Sequence, residues 1–415
     1  VRVATGSLGA LSMTAALLLY GGLSVPAPPA LRGVELSIGL LVLAAIGWKW
    51  PLAVASGHAL RMPSGVGQSG LVQSDMRWMP VAIAAFTWLL WVPLLRGAAL
   101  GWEAADILRD VVPLVFLFLP VLLVPALRSG GDRTVRALAG GLAMAGLLLA
   151  LRWWRQADWG FGAIGRRAMA DGGVYLLNAP SVLFAAVLLP ALALSLVAVG
   201  GRIRYWVAAV PCAVGGALCL GALAGAVHRT ALGLAVLSLA LTALWWARRR
   251  PWLALPLLLG VGLLAVTGGD ALVGAWQQAA EKTRLTGVNA RWEEAAAVID
   301  HAVATPWALL FGDGWGARIA NPAVGGWRVS YTHTLASYSL LKTGLFGMVA
   351  LGAYLAALVR PWCRLLATDP PLALAVVPPL LMALCLHTSF KYLDTGVILS
   401  LMLVAAERRK GLSAP

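Results

Sequence analysis

Charge is scarce in this chain, and acid is scarcer than base. Only 12% of its 415 residues are Asp, Glu, Lys or Arg, and 17 acidic side chains face 32 basic ones. Hydrophobic residues make up 60%, and the mean hydropathy is +0.83. Such a chain has too little polar surface to offer water, so the composition excludes a soluble domain and predicts a polytopic integral membrane protein. Cysteine is sparse too. Cys212, Cys219, Cys363 and Cys385 lie in or at the edges of apolar runs and form no CxxC pair, which argues against disulfides and thiolate metal centres. No linker, appended soluble domain or internal repeat is visible, so residues 1–415 read as one membrane domain. The net charge of +15 reflects cytoplasmic anchoring and the handling of anions in such a chain, and no nucleic-acid partner is expected.

A helix needs about 20 residues to cross ~30 Å of hydrocarbon. Apolar runs fall at 7–25, 34–54, 78–95, 111–127, 137–152, 174–199, 206–226, 230–247, 251–268, 333–359, 370–388 and 394–406. The expectation is therefore an all-α protein of about twelve transmembrane helices. The first run could be mistaken for a signal peptide. The flank from Val25 to Ala30 lacks a small-x-small cleavage site and many spans follow, so a first helix is expected there. The run 34–54 is the weakest, with Lys49 near its end.

Simple alternation places Arg128–Arg136, Arg202–Arg204, Arg248–Arg250, Arg360–Arg364 and Arg408–Lys410 on one side. The positive-inside rule makes that side cytoplasmic, with both termini inside. The segments 96–110, 152–173, 227–230, 269–332 and 388–394 then lie outside. Thirteen of the 32 Lys and Arg residues fall there, among them Arg152, Arg155, Arg166, Arg167, Arg229, Arg284, Arg291, Arg318 and Arg328. Orientation gains nothing from outer charges. Arginine grips phosphate through a planar fork that stays charged, so the group predicts an outward-facing basic cavity for an anionic ligand. Single arginines among them can instead snorkel to headgroups. The outer segments hold no DxD-like cluster, so no metal or other cofactor is expected.

The longest polar stretch, 269–332, is expected to be a large outer loop bearing short helices. Trp276–Arg284 and Arg291–Val303 both have amphipathic spacing. In the second, Trp292, Ala295, Ala296, Ile299 and Val303 are expected to form the apolar face, with Glu293, Glu294 and Asp300 turned away and Asn289 as N-cap. Such helices lying in the interface would cover a cavity at the outer leaflet. Gly312-Asp313-Gly314-Trp315-Gly316 predicts a tight turn. It lacks the strand before and helix after of a dinucleotide loop.

At the end of this loop stands His333, followed by an apolar run to Leu358. An imidazole where a loop re-enters the bilayer suits a base acting on a lipid-anchored substrate. At 100° per residue, His333, Ser337, Leu340, Gly344 and Gly347 share one face, and the glycines allow a second helix to approach closely. The alternative is that His333 merely caps its helix. His228 likewise has two readings, as a phosphate-binding aid or an interfacial polar residue. His58, His301 and His387 carry no comparable signal. Lys342 is a charge within a span that snorkels or pairs across helices. Lys391 and Asp394 are expected at an outer tip, rimming the cavity. Trp153, Trp154, Trp159, Trp315 and Trp327 suit an interfacial belt or stacking on sugar faces.

The segment from His333 resembles the motif of the O-antigen ligase and polymerase family: a histidine, a small polar residue, nine residues, glycine, two residues, then Gly, Thr or Tyr. His333, Gly344 and Gly347 fit in register, and Thr334 stands where Asn, Ser or Gln is usual. Arg291-Trp292, followed by the Gly312–Gly316 turn, is similar to the family's Arg-x-x-x-Trp helix and glycine turn, though here Trp directly follows Arg. His228-Arg229-Thr230-Ala231-Leu232 resembles its Ser-Arg-x-x-Leu helix start, with histidine replacing the small residue. Arg166-Arg167 to Asn178-Ala179-Pro180 resembles the entry to a mid-chain span. The likeness covers about residues 160–350.

This resemblance implies a GT-C-like all-α fold and a metal-independent, inverting glycosyltransferase at the periplasmic face of a bacterial inner membrane. Its donor would be an undecaprenyl-diphosphate-linked glycan, and its acceptor a glycan or glycolipid such as lipid A–core. His333 would be the general base, and Arg229, Arg291, Arg166 and Arg167 would hold the diphosphate. A polymerase extending another lipid-linked repeat fits the same motifs. A transporter of lipid-linked glycan is the rival from another class. It would place repeats and charges at the midplane, whereas here the charges concentrate at one face.

Overall fold

A backbone in lipid must satisfy its own hydrogen bonds, and helices do so within a single segment. The computed structural model describes residues 2–26, 28, 32–60, 76–157, 173–199, 203–253 and 290–407. In them lie fifteen α-helices and one short hairpin. The helices are α1 (Arg2–Leu23), α2 (Gly33–Ile46), α3 (Lys49–Ala55), α4 (Trp78–Ala99), α5 (Ala104–Leu117), α6 (Leu119–Leu127), α7 (Gly131–Gln156) and α8 (Pro180–Val199). They continue as α9 (Ile203–Gly225), α10 (Arg229–Arg249), α11 (Ala290–Val303), α12 (Pro306–Phe311), α13 (Leu335–Thr368), α14 (Pro370–Leu381) and α15 (Leu393–Glu407). Arg166, Arg167, Trp159, Arg284, Asn289, the Trp276–Arg284 helix and most of the 251–268 run lie outside the described residues.

Among the described residues, six segments are long and apolar enough to cross a membrane: Trp78–Ala99, Leu119–Gln156, Pro180–Val199, Ile203–Gly225, Arg229–Arg249 and Leu335–Thr368. The pair α2 and α3, bent by 87°, makes a seventh if taken as one span. This is an all-α membrane protein, and among the described residues such segments are fewer than the apolar runs. The run 111–127 breaks at Phe118, between α5 and α6. The last run forms α15, of only 15 residues, or ~22 Å of helix.

α15 nevertheless has every residue from Leu393 to Ala406 buried. It is apolar all round because it meets protein on every side, packed by α5, α6, α7, α8, α13 and α14. Its Gly396 is required by that closeness, since a Cβ there would sit 2.0 Å from the Phe116 carbonyl oxygen. Asp394, expected at an outer tip, is fully buried. Its Oδ2 accepts the backbone N–H of Ser181 at 2.8 Å in the first turn of α8, an N–H that no helical carbonyl can reach. The polar character of Asp394 serves packing here, not a cavity rim.

The turn Gly312–Gly316 is driven between α4 and α13. Pro93 in α4 has no N–H, so the Leu89 carbonyl four residues earlier lacks its helical donor. The Trp315 indole Nε1–H donates to that oxygen at 3.0 Å, and the Trp315 backbone N–H donates to Pro93 at 3.0 Å. On the other side, α13 departs from helix at Gly344, with φ 61° and ψ −166°. The carbonyls of Leu341 and Lys342 accept from the backbone N–H groups of Asp313 and Gly314, at 2.9 and 3.0 Å. A Cβ on Gly344 would meet the Gly312 nitrogen at 2.5 Å. The same Cβ would meet the backbone of Leu310 and Phe311 at 2.5 Å, so the motif glycine admits the C-terminal end of α12 together with the start of the turn. Gly347 does face α4, with a Cβ there 3.1 Å from the Trp88 ring.

Lys342 is fully buried, donating at 2.6 Å to Asp110 Oδ2. That oxygen also accepts the Gly316 N–H at 2.8 Å, while Oδ1 accepts the Tyr338 hydroxyl at 2.9 Å. The lysine thus pairs across helices and locks the same turn to α5. Trp153 and Trp154, expected in an interfacial belt, are buried against each other, with ring centroids 5.2 Å apart. Trp315 is buried as well. Among the described outer tryptophans of that set, Trp327 alone is exposed.

Candidate functional site

The loop after the wedge folds into an antiparallel pair, Ile319–Ala320 with Arg328–Val329. It returns the chain to Tyr331 beside α11. Asn321, at the end of the first strand, is fully buried. It accepts from Ala323 N–H at 2.9 Å and donates to Glu294 Oε2 at 2.9 Å and to the Tyr331 carbonyl at 3.3 Å. Both amide hydrogens and the side-chain oxygen are engaged in holding loop and helix together.

The face of α11 that packs inward is not the expected one. Glu294, Val298 and Ala302 are buried, while Trp292, Ile299 and Val303 are exposed by 72%, 51% and 58%. Val298 packs with Ile319 and Leu341. The spacing 294, 298, 302 is itself one helical stripe, of small residues plus one carboxylate. Hydrophobicity singled out the other stripe because it assumed water outside, whereas a membrane protein can leave its larger apolar side chains facing outward.

α13 begins at Leu335, and Thr334 caps it, its Oγ1 accepting the Ser337 N–H at 3.1 Å. His333 is thereby released from capping. Its backbone N–H donates to Glu294 Oε1 at 2.6 Å, and its Nδ1 lies 2.6 Å from Glu294 Oε2. Burial by itself would raise the Glu294 carboxyl. The hydrogen bonds from His333 and Asn321 outweigh it and hold the group below the usual carboxylate range. An ionised carboxylate only accepts, so Nδ1 carries a proton, and in the neutral ring Nε2 presents the lone pair. Nε2 makes no hydrogen bond among the described residues. The His333 side chain is 26% exposed against 2% for Glu294, so an open imidazole is backed by a sealed carboxylate.

Arg291 lies one turn before Glu294 on α11. Its Nη1 donates at 2.8 Å to the Leu386 carbonyl, at the end of the π-helical turn Met382–Leu386 that follows α14. The adjoining His387 is pushed down to about 4, first by burial and then by the proximity of His228, Arg291 and His333. These four residues therefore gather at one end of the bundle. A cleft there is lined by Asn178, Pro180, His228, His387 and Ser389. Arg229, the first residue of α10, is exposed directly after His228. At the opposite end of α10, Arg249 lines a separate cavity of about 900 Å³ with Arg136 and Asp369.

Glu294, Asn321 and Tyr331 are the members of the site that sequence reasoning missed. Among the described residues no group of three His, Cys, Asp or Glu is placed to hold a metal ion. A carboxylate-backed imidazole beside arginine can move a proton to and from a hydroxyl next to an anion. Compared with protein-family models, characterised proteins and solved structures, the chain gives no match.

Proposed function

We propose that this protein is a membrane glycosyltransferase of the O-antigen ligase kind. It transfers a glycan from undecaprenyl diphosphate to an acceptor hydroxyl, with residues 269–332 at the periplasmic face of the inner membrane. One observation carries the reading: the motif histidine His333 has Nδ1 tied to a buried, ionised Glu294, leaving Nε2 open. The family likeness in sequence and the gathering of Arg291 and His228 near it point the same way.

In this mechanism the acceptor hydroxyl gives its proton to His333 Nε2 as its oxygen attacks the anomeric carbon. The anomeric C–O bond breaks, and the diphosphate leaves with the electron pair. Glu294 stabilises the imidazolium that forms. Arg291 and Arg229, with Arg166 and Arg167 proposed from sequence, neutralise charge growing on the leaving group. Attack opposite the leaving group inverts the anomeric centre.

The test is purified protein incubated with undecaprenyl-diphosphate-linked glycan and, separately, lipid A–core or a second lipid-linked glycan. Transfer is expected, and His333→Ala should abolish it while leaving donor binding near normal. A general base contributes roughly 10²–10⁴-fold, so more than about a tenth of wild-type activity in the variant would overturn the assignment.

A further inference from the structure

Lys391 ends a 3₁₀ turn, Thr388–Lys391, and is partly buried. Its ammonium lies 4.3 Å from the centroid of the Tyr338 ring and 5.6 Å from those of Tyr331 and Phe390. Three aromatic faces surround it, and among the described residues it has no hydrogen bond and no ion pair. The nearby carboxylates are already taken. Asp110 receives Tyr338, Lys342 and the Gly316 N–H. Glu294 receives His333 twice and Asn321 once. Asp394, on the next element, holds Ser181 and Tyr20.

Even a partly buried cation without a counter-ion is costly, and π faces offset only part of that cost. Lys342, close by and deeper, shows the ordinary solution, a carboxylate partner. Lys391 forgoes it while standing beside the site, since Tyr331 touches both it and His333, whose ring centroid is 6.1 Å from that of Tyr331. An anion arriving from outside would complete the arrangement.

We propose that Lys391, caged by Tyr331, Tyr338 and Phe390, is the seat of one phosphate group of a diphosphate ligand at the His333 site. This rests on the reading of that site as one for a lipid-linked diphosphate. The electrostatics agree. Burial first, then Lys342 and Arg109, push the Lys391 ammonium down to about 7, against the opposing pull of Asp110 and Glu294. An empty seat is thus protonated below neutral pH and loses its proton above it. An incoming phosphate restores the proton, so binding weakens as pH rises through about 7 and takes up a proton in that range.

The experiment uses the full chain in phosphatidylcholine nanodiscs, titrated calorimetrically with inorganic pyrophosphate at about pH 6 and about pH 8.5. Lys391→Met is expected to weaken binding about ten- to a hundredfold at the lower pH. Lys391→Arg is expected to keep binding but lose the fall between the two pH values, because arginine does not titrate there. Titration of the pyrophosphate itself is common to all three proteins and cancels in the comparison. The unliganded Met variant should melt no lower than wild type, since it removes an uncompensated charge.

Unchanged pyrophosphate binding in Lys391→Met, or a lower melting point with binding intact, would show a packing role and overturn the proposal. So would loss of pyrophosphate binding when phosphatidylglycerol replaces phosphatidylcholine, which would assign the seat to lipid headgroups. Lys391-dependent pyrophosphate binding in a protein that performs no transfer would keep the seat and discard the reaction. Transfer that depends on His333 but not on Lys391 would do the reverse.

Discussion

Glu294→Gln is the sharpest perturbation of the site, because it removes one charge and almost no volume. In the wild-type protein three donors converge on the carboxylate: the His333 backbone N–H at Oε1, and His333 Nδ1 and Asn321 Nδ2 at Oε2. A glutamine amide has one acceptor oxygen and an NH₂ group, so in either orientation its NH₂ meets a donor. Turned toward Oε1 it opposes the His333 backbone N–H. Turned toward Oε2 it opposes Asn321 and forces the imidazole to accept at Nδ1, moving the proton to Nε2 and removing the lone pair. The side chain is 2% exposed, so solvent cannot repair the mismatch. A stability loss of about 1–3 kcal/mol follows from the unsatisfied donor. The loss in transfer rate should approach that of removing the base, roughly 10²–10⁴-fold. The assay is initial-rate transfer from the lipid-linked donor by Glu294→Gln, His333→Ala and the double variant. The double should be no slower than His333→Ala, because the two residues act as one unit. Nitrogen NMR of His333 should show a protonated Nδ1 in wild type and a shifted tautomer in the variant. A wild-type imidazole protonated at Nε2 alone, or a Glu294→Gln enzyme with more than about a tenth of the activity, would refute the reasoning.

Arg291→Lys and Arg229→Lys should each impair transfer, since a point charge cannot reproduce the bidentate fork; wild-type rates in both would remove the arginines from the diphosphate. Gly344→Ala should lower the melting temperature in detergent, at a cost of about 3 kcal/mol or more. The backbone there lies in a region reserved for glycine, and the added Cβ would lie 2.5 Å from the Gly312 nitrogen. An unshifted melting curve would contradict the wedge. Trp327→Cys, at a side chain 76% exposed, should react with a membrane-impermeant maleimide in intact spheroplasts. Labelling only after lysis would invert the proposed orientation.

Composition and spacing were enough to make this a helical membrane protein, because hydropathy is a property summed over residues and does not depend on what they touch. They also singled out His333, Gly344 and the Gly312–Gly316 turn as unusual, since a titratable ring and clustered glycines are costly in apolar chain. Partnership was not legible. Glu294 looked like a solvated charge on the far side of α11, and only the hairpin bearing Asn321, 27 residues later, turns it into the buried support of His333. Asp394 read as a charge rimming a cavity, and Lys342 as one that snorkels or pairs across helices, with no partner named. Their partners Ser181 and Asp110 lie 213 and 232 residues away, beyond any periodicity. The reason is physical: a helix pattern reports which faces avoid water, and in a membrane both lipid and protein satisfy that demand. Which apolar face meets lipid, and which polar group meets its partner, is decided only when the helices pack.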